Sequence, residues 1–397
     1  MTGILLRNIR PLGGPPVDLA IRDGRIGAMG EGLSADGLTV EEGDGAICVP
    51  GLVEAHTHLD KTVMGMGWYA NAVGTDLRAM IDNERAERRR LGLDVSRQAM
   101  RHALALVGNG TTHVRTHVDV DTENGLDGLR DVLSLRDALR GVLDIQVVAF
   151  PQSGLMIRPG TAELLDQAMA MGADLVGGLD PCAVDRDPKG HLDTVFALAD
   201  RHGAGVDIHL HEPGEMGAFS LELICERTRA LGMAGKVTVS HGFCLGMPDA
   251  RRTGALIDGL AELAIAVMTT GAPSREVPSV PRLRARGIRM GAGCDGVLDT
   301  WNPWNRPDML DRARIVAQKN NMRSDADLAA VLDLCSSGGA LAIGVGGHGL
   351  ALGAPADLAL LPGETLAAAV ARGGPVLMTL KRGAVTARHG KALMEAP

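Results

Sequence analysis

The feature that most constrains the fold is a regular alternation of short apolar runs with segments of helical periodicity, such as residues 161–171 and 220–231. This pattern is typical of repeated βα units. Eight such units in about 245 residues match the size of a (β/α)8 TIM barrel, an α/β fold. A doubly wound sheet is the alternative, but it would not bring the first, fifth, sixth and eighth strands around one point. The predicted strands cover residues 52–60, 112–120, 144–152, 175–181, 205–212, 237–242, 264–269 and 289–295.

Both ends of the chain have a different, β-rich character. Near the amino terminus, alternating apolar segments flank Asp23-Gly24, a dipeptide typical of hairpins. Near the carboxyl terminus, Arg382-Gly383 separates two similar segments. We therefore predict that residues 1–48 and 346–397 meet in one small β-sandwich domain, and that residues 49–345 form the barrel.

Composition excludes several classes of function. The net charge is −8 and the basic residues are dispersed, which argues against nucleic acid as a partner. The run from Arg85 to Arg90 is balanced by Glu84 and Glu87, and we interpret it as a solvated helix face. No apolar run reaches the length of a membrane span, so we expect no membrane partner. Nothing resembles a signal peptide, and the six cysteines include no Cys-x-x-Cys; this predicts reduced thiols and a cytoplasmic location.

Residues suited to a metal ion follow several predicted strands. His56 and His58 are spaced i, i+2 at the end of the first strand, so both side chains point to the same side. His209 lies at the end of the fifth strand and Asp295 at the end of the eighth, where parallel barrels keep their chemistry. Three imidazole nitrogens and one carboxylate suit Zn²⁺ or Fe²⁺. We therefore predict one divalent metal ion on these four residues, which would lower the pKa of bound water.

Three further residues at these strand ends are candidates for catalysis and binding. Glu212 is followed by a Pro-Gly pair that ends the strand, so its carboxylate can turn over the mouth and move protons. His209 and His211 share a strand face, so either can be the ligand. The His-x-x-Glu spacing favours His209 and leaves His211 to contact the ligand shell or the substrate. His241, at the end of the sixth strand, either hydrogen-bonds the attacking hydroxide or is a fourth nitrogen ligand.

Other side chains are expected around the same mouth. Gln152 offers one acceptor and two donors, which can bind the cis-amide edge of a ring. His117 either touches the site or belongs to a buried hydrogen-bonded layer. Aromatic residues make up only 2% of the chain, and all the Trp and Tyr residues follow strands that end in candidate ligands. We expect at least one of these rings to line a pocket: Trp68, Tyr69, Trp301 or Trp304.

A second metal is not expected. Binuclear hydrolases of similar shape bridge two metals with a carboxylated lysine at the end of the fourth strand. Here that strand ends Gly-Gly-Leu-Asp180-Pro, without lysine. Lys61 and Lys189 lie elsewhere and are interpreted as exposed charges.

Together these residues resemble the amidohydrolase superfamily, specifically its cytosine deaminase branch, over the whole chain. The resemblance implies that one Fe²⁺ or Zn²⁺ is bound by the four predicted ligands, and that Glu212, His241 and Asp295 move protons and orient the hydroxide. It also implies that Gln152 and Trp301 hold the pyrimidine. The motifs are Pro50-Gly51-Leu-Val-Glu-Ala-His56-Thr-His58-Leu-Asp, Arg115-Thr-His-Val-Asp119, Ala149-Phe-Pro-Gln152, His209-x-x-Glu212, Ser240-His241, and Asp295 with Trp301 six residues later.

The chain departs from that branch in three places. Gly296 follows the metal-binding aspartate where cytosine deaminases tend to carry a second acidic residue, so we expect a wider pocket and one hydrogen bond fewer. His-Leu-Asp-Lys61-Thr also resembles triazine aminohydrolases that remove alkylamines. In that branch an acidic residue precedes the glutamate that matches Glu212, and here His211 takes its place.

The sequence therefore predicts a metal-dependent hydrolytic deaminase of a small nitrogen heterocycle, cytosine or a substituted pyrimidine. Two alternatives are a triazine-type aminohydrolase that releases an alkylamine, and an amidohydrolase that opens a cyclic amide or urea. A barrel that only binds a ligand would lack metal ligands, and none is missing. Relatives often form homo-oligomers, and that state is compatible with the resemblance.

Overall fold

The structure is a computed structural model that describes residues 3–395 of the chain. It begins with β1 (Gly3–Pro11), β2 (Val17–Arg22), β3 (Arg25–Gly30), β4 (Leu38–Glu42) and β5 (Ile47–Pro50). Strands β2 and β3 form the predicted hairpin, and Asp23 and Gly24 between them both have positive φ angles of 50° and 74°. Two consecutive positive φ angles are what a tight hairpin turn requires.

Eight parallel strands follow and form the predicted barrel, paired in chain order. Most of them end a few residues earlier than predicted, because the residues at the mouth already lie in the loops. The strands are β6 (Leu52–Thr57), β7 (Thr111–Asp119), β8 (Asp144–Phe150), β9 (Leu175–Leu179), β10 (Gly205–His209), β11 (Val237–Ser240), β12 (Ala266–Thr269) and β13 (Met290–Ala292).

The barrel closes between β13 and β6. The Asp295 backbone N–H donates to the His56 carbonyl at 2.8 Å, and Thr57 pairs with Asp295 in an isolated parallel bridge. Buried Glu54 accepts hydrogen bonds from the backbone N–H groups of His56 and Cys294, each at 3.0 Å, and thereby joins the two strands. Burial raises the pKa of Glu54 to about 7. The seam of the barrel therefore fixes the backbone of two predicted metal ligands.

Helices surround the barrel and cover its outer face. Helix α2 begins after Asp94, whose side chain accepts a hydrogen bond from the Arg97 N–H and so caps the helix. Among the described residues, no helix combines the length and apolar character needed to cross a membrane. The helices are α1 (Leu77–Leu91), α2 (Val95–Gly108), α3 (Asp127–Ala138), α4 (Thr161–Ala170), α5 (Pro188–His202), α6 (Gly214–Ala230), α7 (Ala250–Glu262), α8 (Val280–Ala285), α9 (Met309–Lys319), α10 (Asp325–Leu334), α11 (Ser337–Ala342) and α12 (Leu366–Arg372).

The last strands return to the first ones. They are β14 (Leu358–Leu361), β15 (Met378–Lys381), β16 (Ala384–Arg388) and β17 (Lys391–Ala392). β14 pairs antiparallel with β5, and β5 pairs parallel with β1, so the two ends share one mostly antiparallel sheet. This unit has its own core, which includes Leu6, Leu19 and Leu380. The predicted fold class is confirmed, and the exact domain bounds stay a prediction.

A buried charge cluster ties this sheet to the barrel. Lys381 on β15 has no exposed side-chain surface. Its Nζ lies 2.9 Å from an Asp357 oxygen and 2.8 Å from an oxygen of Asp144, the first residue of β8. It also lies 3.2 Å from His113 Nε2 on β7. The cation therefore compensates carboxylates from both units.

Lys381→Met should destabilise the protein by about 3–5 kcal/mol, because it leaves the buried carboxylate of Asp357 without its cation. Urea unfolding, or the shift in Tm where unfolding is irreversible, measures this loss. Lys189→Met is the matched control: its side chain is 79% exposed beside Asp193, so its loss should cost at most about 1 kcal/mol. Equal losses in the two variants would contradict a special contribution of the buried cluster.

Candidate active site

Three imidazoles and one carboxylate meet at the carboxyl ends of the barrel strands. His58 Nε2 lies 3.4 Å from His209 Nε2 and 3.2 Å from Asp295 Oδ1. His56 Nε2 lies 3.6 Å from the same Asp295 oxygen. All three histidines are buried. The structure thus brings together the four residues that the sequence predicts as metal ligands.

The chemistry of this cluster fits a divalent cation. Burial lowers the pKa of His58 and of His209 well below the usual histidine value, so both rings are neutral and offer lone pairs. Two Nε2 atoms that face each other gain little from a direct contact. Within residues 3–395, His56 Nε2, His58 Nδ1 and His209 Nδ1 are buried without a hydrogen-bond partner. Three nitrogens and one carboxylate oxygen form a donor set suited to Zn²⁺ or Fe²⁺.

Two more histidines reach this cluster. His241 has ligand atoms within 4.8 Å of those of His56, His209 and Asp295, which is compatible with both roles that the sequence leaves open. His117 lies equally close to His56 and His209, and its Nε2 is 3.5 Å from an oxygen of Asp207. Burial lowers the pKa of His117 to about 4, so this ring is neutral as well.

A chain of buried polar groups orients His56. Its Nδ1 lies 3.0 Å from Ser240 Oγ, and that hydroxyl donates to Asp207 Oδ1 at 2.7 Å. Arg115 donates to the other Asp207 oxygen at 2.8 Å. Although burial acts in the opposite direction, His117 and Arg115 hold the pKa of Asp207 below its usual range. Because the Ser240 proton goes to this carboxylate, the hydroxyl oxygen accepts from His56 Nδ1–H and leaves Nε2 free for a metal.

Asp207 is a residue that the motifs do not identify. A usable signal is nevertheless present, since it precedes His209 by two positions on β10 and so faces the same interior one layer deeper. Arg115 precedes His117 on β7 in the same way.

The structure separates His209 from His211. His211 Nδ1 lies 2.8 Å from an Asp180 oxygen, and its backbone N–H donates to the other oxygen at 2.6 Å. Although burial alone would lower it, the Asp180 carboxylate raises the pKa of His211. His211 therefore lines the cavity in a pair with Asp180, whereas His209 lies beside His58 among the predicted metal ligands.

Glu212 is held firmly at the mouth. One of its oxygens accepts from the backbone N–H groups of Cys182 at 2.7 Å and Ala183 at 2.8 Å. The other accepts from the Ser220 hydroxyl. Burial raises the pKa of this carboxyl above its usual value. Glu212 lines the cavity together with His209.

The cavity above the cluster has a volume of about 440 Å³ and includes Gln152, Trp301 and Lys61 in its wall. The prediction that Lys61 is exposed is wrong: only 4% of this residue is accessible. Its Nζ donates to Gln152 Oε1 at 2.8 Å and lies 3.3 Å from Glu84 and 3.1 Å from Asp119. Acceptors from three other parts of the chain thus compensate its burial. Lys189, in contrast, is exposed as predicted.

The interpretation of residues 85–90 as a solvated face balanced by Glu84 is wrong at Arg88 and at Glu84, which is only 2% exposed. Arg88 is largely buried and lies 3.0 Å from an oxygen of Asp119 and 3.3 Å from one of Asp60. Helix α1 therefore presents a charged side chain to the barrel. Together with Lys61, this arginine links the helix to the loops around the cavity.

The aromatic rings divide into two groups. Trp301 lines the cavity and its Nε1 donates to Glu84, which confirms the expectation for at least one ring. Trp68 and Trp304 are 81% and 80% exposed. The exposed pair lies outside the cavity wall.

The expectation that Gly296 widens the cavity is wrong. A Cβ atom built on Gly296 would lie 1.8 Å from Asp299 Oδ2. The carboxyl group of Asp299 therefore fills the space that a side chain at position 296 would occupy. Burial raises the pKa of Asp299 to about 6.

Fold and cluster together define a barrel hydrolase with a histidine–aspartate centre at the carboxyl ends of its strands. A model of the amidohydrolase family matches residues 42–387, and the chain belongs to this family. It is a hydrolytic enzyme that acts on C–N bonds.

Individual relatives are similar over most of their length. The crystal structure of N-isopropylammelide isopropylaminohydrolase from Burkholderia multivorans has a TM-score of 0.96 and 48% identity, and the match covers 99% of this chain and 100% of that one. N-isopropylammelide isopropyl amidohydrolase from Pseudomonas sp. (strain ADP) is 30% identical over 343 residues, which is 85% of this chain and 84% of the relative. The crystal structure of 5-methylcytosine deaminase from Klebsiella pneumoniae has a TM-score of 0.84 and 29% identity over 96% of both chains.

Ser240→Ala should weaken the binding of Zn²⁺ about 10- to 100-fold, because His56 loses the hydroxyl that fixes its ring. Titration of the metal-free protein with Zn²⁺ against a chromogenic chelator measures the affinity. Thr238→Val is the matched control, since Thr238 accepts from Arg115 at 2.9 Å but does not bond to His56. Unchanged affinity in Ser240→Ala would show that this hydroxyl does not position the ligand.

Proposed function

We propose that this chain is a metal-dependent aminohydrolase that removes an amino or alkylamino group from a carbon of a small nitrogen heterocycle. The observation that carries the proposal is the cluster of three buried imidazoles and Asp295 at the floor of a cavity. The full-length similarity to an isopropylaminohydrolase, at 48% identity, supports the exocyclic C–N bond as the point of cleavage.

The residues of this chain have separate roles in the proposal. His56, His58, His209 and Asp295 would hold one divalent cation, which makes water nucleophilic near neutral pH. Glu212 would carry a proton between the water and the ring, because burial raises the pKa of this carboxyl above its usual value and so favours proton uptake. His241 and the free oxygen of Asp295 would orient the attacking water.

The proposed reaction balances as a simple hydrolysis. One oxygen–carbon bond forms between water and the ring carbon that bears the nitrogen substituent. Glu212 transfers a proton from water to the adjacent ring nitrogen, and the exocyclic nitrogen takes the second proton. The C–N bond then breaks, so that ammonia or an amine leaves and the ring retains a carbonyl group.

The wall of the cavity would hold the ring. Lys61 occupies the acceptor of Gln152, so the amide N–H₂ of Gln152 is left to donate to a ring carbonyl. Trp301 offers an apolar face whose edge is fixed by Glu84. His211, paired with Asp180, would contact the substituent at the mouth.

Two substrate classes follow from the relatives, and they differ in what leaves. N-isopropylammelide, a triazine that carries an isopropylamino group, is the first candidate because of the identity to the Burkholderia enzyme. Cytosine or a 5-substituted cytosine is the second, because of the similarity to a 5-methylcytosine deaminase.

The six free thiols support a reducing cytoplasm as the location, and a homo-oligomeric state stays a prediction.

Zn²⁺-loaded enzyme should release isopropylamine from N-isopropylammelide with a kcat/KM at least about 10-fold above that for ammonia release from cytosine. Chromatography of the released amine and a coupled ammonia assay measure the two reactions. A hydantoin serves as the third substrate, since ring opening would create a new carboxylate without free amine. Carboxylate formation, or turnover that survives exhaustive chelation, would contradict the proposal.

Glu212→Gln should lower kcat by at least about 100-fold while the protein keeps its metal, because the amide cannot carry a proton. Steady-state kinetics together with elemental analysis of the purified variant test this. The matched control is Glu215→Gln in the next turn, whose exposed side chain pairs with Arg252 on the surface. Near-normal turnover in Glu212→Gln would remove this residue from proton transfer.

A further inference from the structure

The carboxyl group of Asp299 occupies an unusual place. Asp299 lies in the loop after β13, four positions beyond Asp295, yet its side chain fills the volume beside Gly296. A Cβ atom on Gly296 would also lie only 2.8 Å from Asp299 Cγ, so a side chain at position 296 fits only if this carboxyl group moves away. Gly296 therefore makes room for a carboxylate that comes from another position in the loop.

Among the residues that the structure describes, one oxygen of this carboxyl accepts hydrogen bonds and the other does not. Asp299 Oδ1 accepts from the backbone N–H groups of Trp301 at 2.8 Å and Asn302 at 2.9 Å. These bonds fix the turn that carries the Trp301 ring. Within residues 3–395, Oδ2 accepts no hydrogen bond, and Asp299 is part of the cavity wall. The second oxygen is thus a fixed acceptor at the edge of the cavity.

A donor in the same wall complements this acceptor. Lys61 can only donate, so the oxygen of Gln152 must face it, at 2.8 Å. The N–H₂ of Gln152 remains for a ligand. The cavity therefore offers an acceptor from Asp299 and a donor from Gln152, the pattern that complements a ring with both N–H and C=O groups.

We propose that Asp299 determines substrate specificity by accepting a hydrogen bond from a ring N–H, and that Gly296 is required because it leaves space for this carboxylate. The inference rests on the proposed function and deepens it. It names the substrate class as heterocyclic lactams with at least one unsubstituted ring nitrogen. A ring whose nitrogens are all alkylated is excluded by the same contact.

The binding of a ring that resembles the product tests the hydrogen bond to Asp299 without turnover. Cyanuric acid has ring N–H and C=O groups, and its trimethyl derivative has no N–H. Calorimetry of Zn²⁺-loaded wild type should show that cyanuric acid binds at least about 10-fold more tightly than the trimethyl ring, as expected for a hydrogen bond to a charged group. Asp299→Asn should abolish this preference, because its amide keeps the Oδ1 acceptor for the turn but presents a donor to the ring.

The matched control is Asp308→Asn. Asp308 accepts from the N–H groups of Leu310 and Asp311 in the same local geometry, but it lies outside the cavity wall. It should leave the preference between the two rings unchanged. Equal effects of Asp299→Asn and Asp308→Asn, or a wild type that binds both rings equally, would overturn the inference.

A double-variant cycle tests the role of Gly296. Gly296→Ala alone should lose about as much affinity for cyanuric acid as Asp299→Ala, because the methyl group displaces the carboxylate. Added to Asp299→Ala, it should change the affinity by no more than about 2-fold, since the two residues share one space. Fully additive losses would show that Gly296 acts independently of Asp299.

These outcomes distinguish the inference from the proposed function. Amine release that does not depend on Asp299 would leave the aminohydrolase proposal standing and remove this one. Ring binding that depends on Asp299, in a protein that hydrolyses no exocyclic C–N bond, would support the inference about Asp299 and contradict the proposed aminohydrolase function.

Discussion

The geometry of the active site depends on the hydrogen bond between the Asp295 N–H and the His56 carbonyl, which closes the barrel. Strand β13 is only three residues long, so its own ladder contributes little to this closure. Gly293 keeps the two strands close, because a Cβ there would lie 2.5 Å from the His56 carbonyl oxygen. Glu54 spans the seam with hydrogen bonds to backbone N–H groups on both sides. Closing the barrel and placing two of the predicted metal ligands are therefore the same structural event.

Polar and charged groups inside the barrel orient the side chains of the active site. Histidines that bind a metal need partners that fix the orientation of the ring and leave one nitrogen free for the metal. Ser240 and Asp207 supply such partners below the cluster, and Arg115 compensates the charge of Asp207. On the other side, Lys61 bonds to Gln152 while Glu84 and Asp119 compensate its charge. The Asp207–Arg115 pair thus orients His56, a predicted ligand, through Ser240. The charges around Lys61 hold this lysine where it orients the Gln152 amide in the cavity wall.

Local patterns in the sequence predict much of this structure. The eight apolar runs give the barrel strands, and the i, i+2 spacing of His56 and His58 places both rings on one side. The burial of Lys61 could not be predicted in this way, since its partners Glu84 and Asp119 lie on a helix and on another strand. Burial of a charge is decided by groups that are distant along the chain, and periodicity carries no information about them. Asp207 was within reach, because a strand places every second residue on the same face.

Gly296 shows why a motif alone cannot describe a binding surface. The absence of an acidic residue directly after Asp295, a predicted metal ligand, suggests a wider cavity with one acceptor fewer. In the folded chain, the loop returns and Asp299 puts a carboxylate into that space, so the acceptor is moved and the volume is filled. A hydrogen-bonding group is defined by where its atoms lie, and several backbone positions can deliver it to one place. Its new origin also ties it to the turn that carries Trp301, because the Trp301 N–H donates to Asp299, so one loop positions both the ring and the carboxylate in the cavity wall.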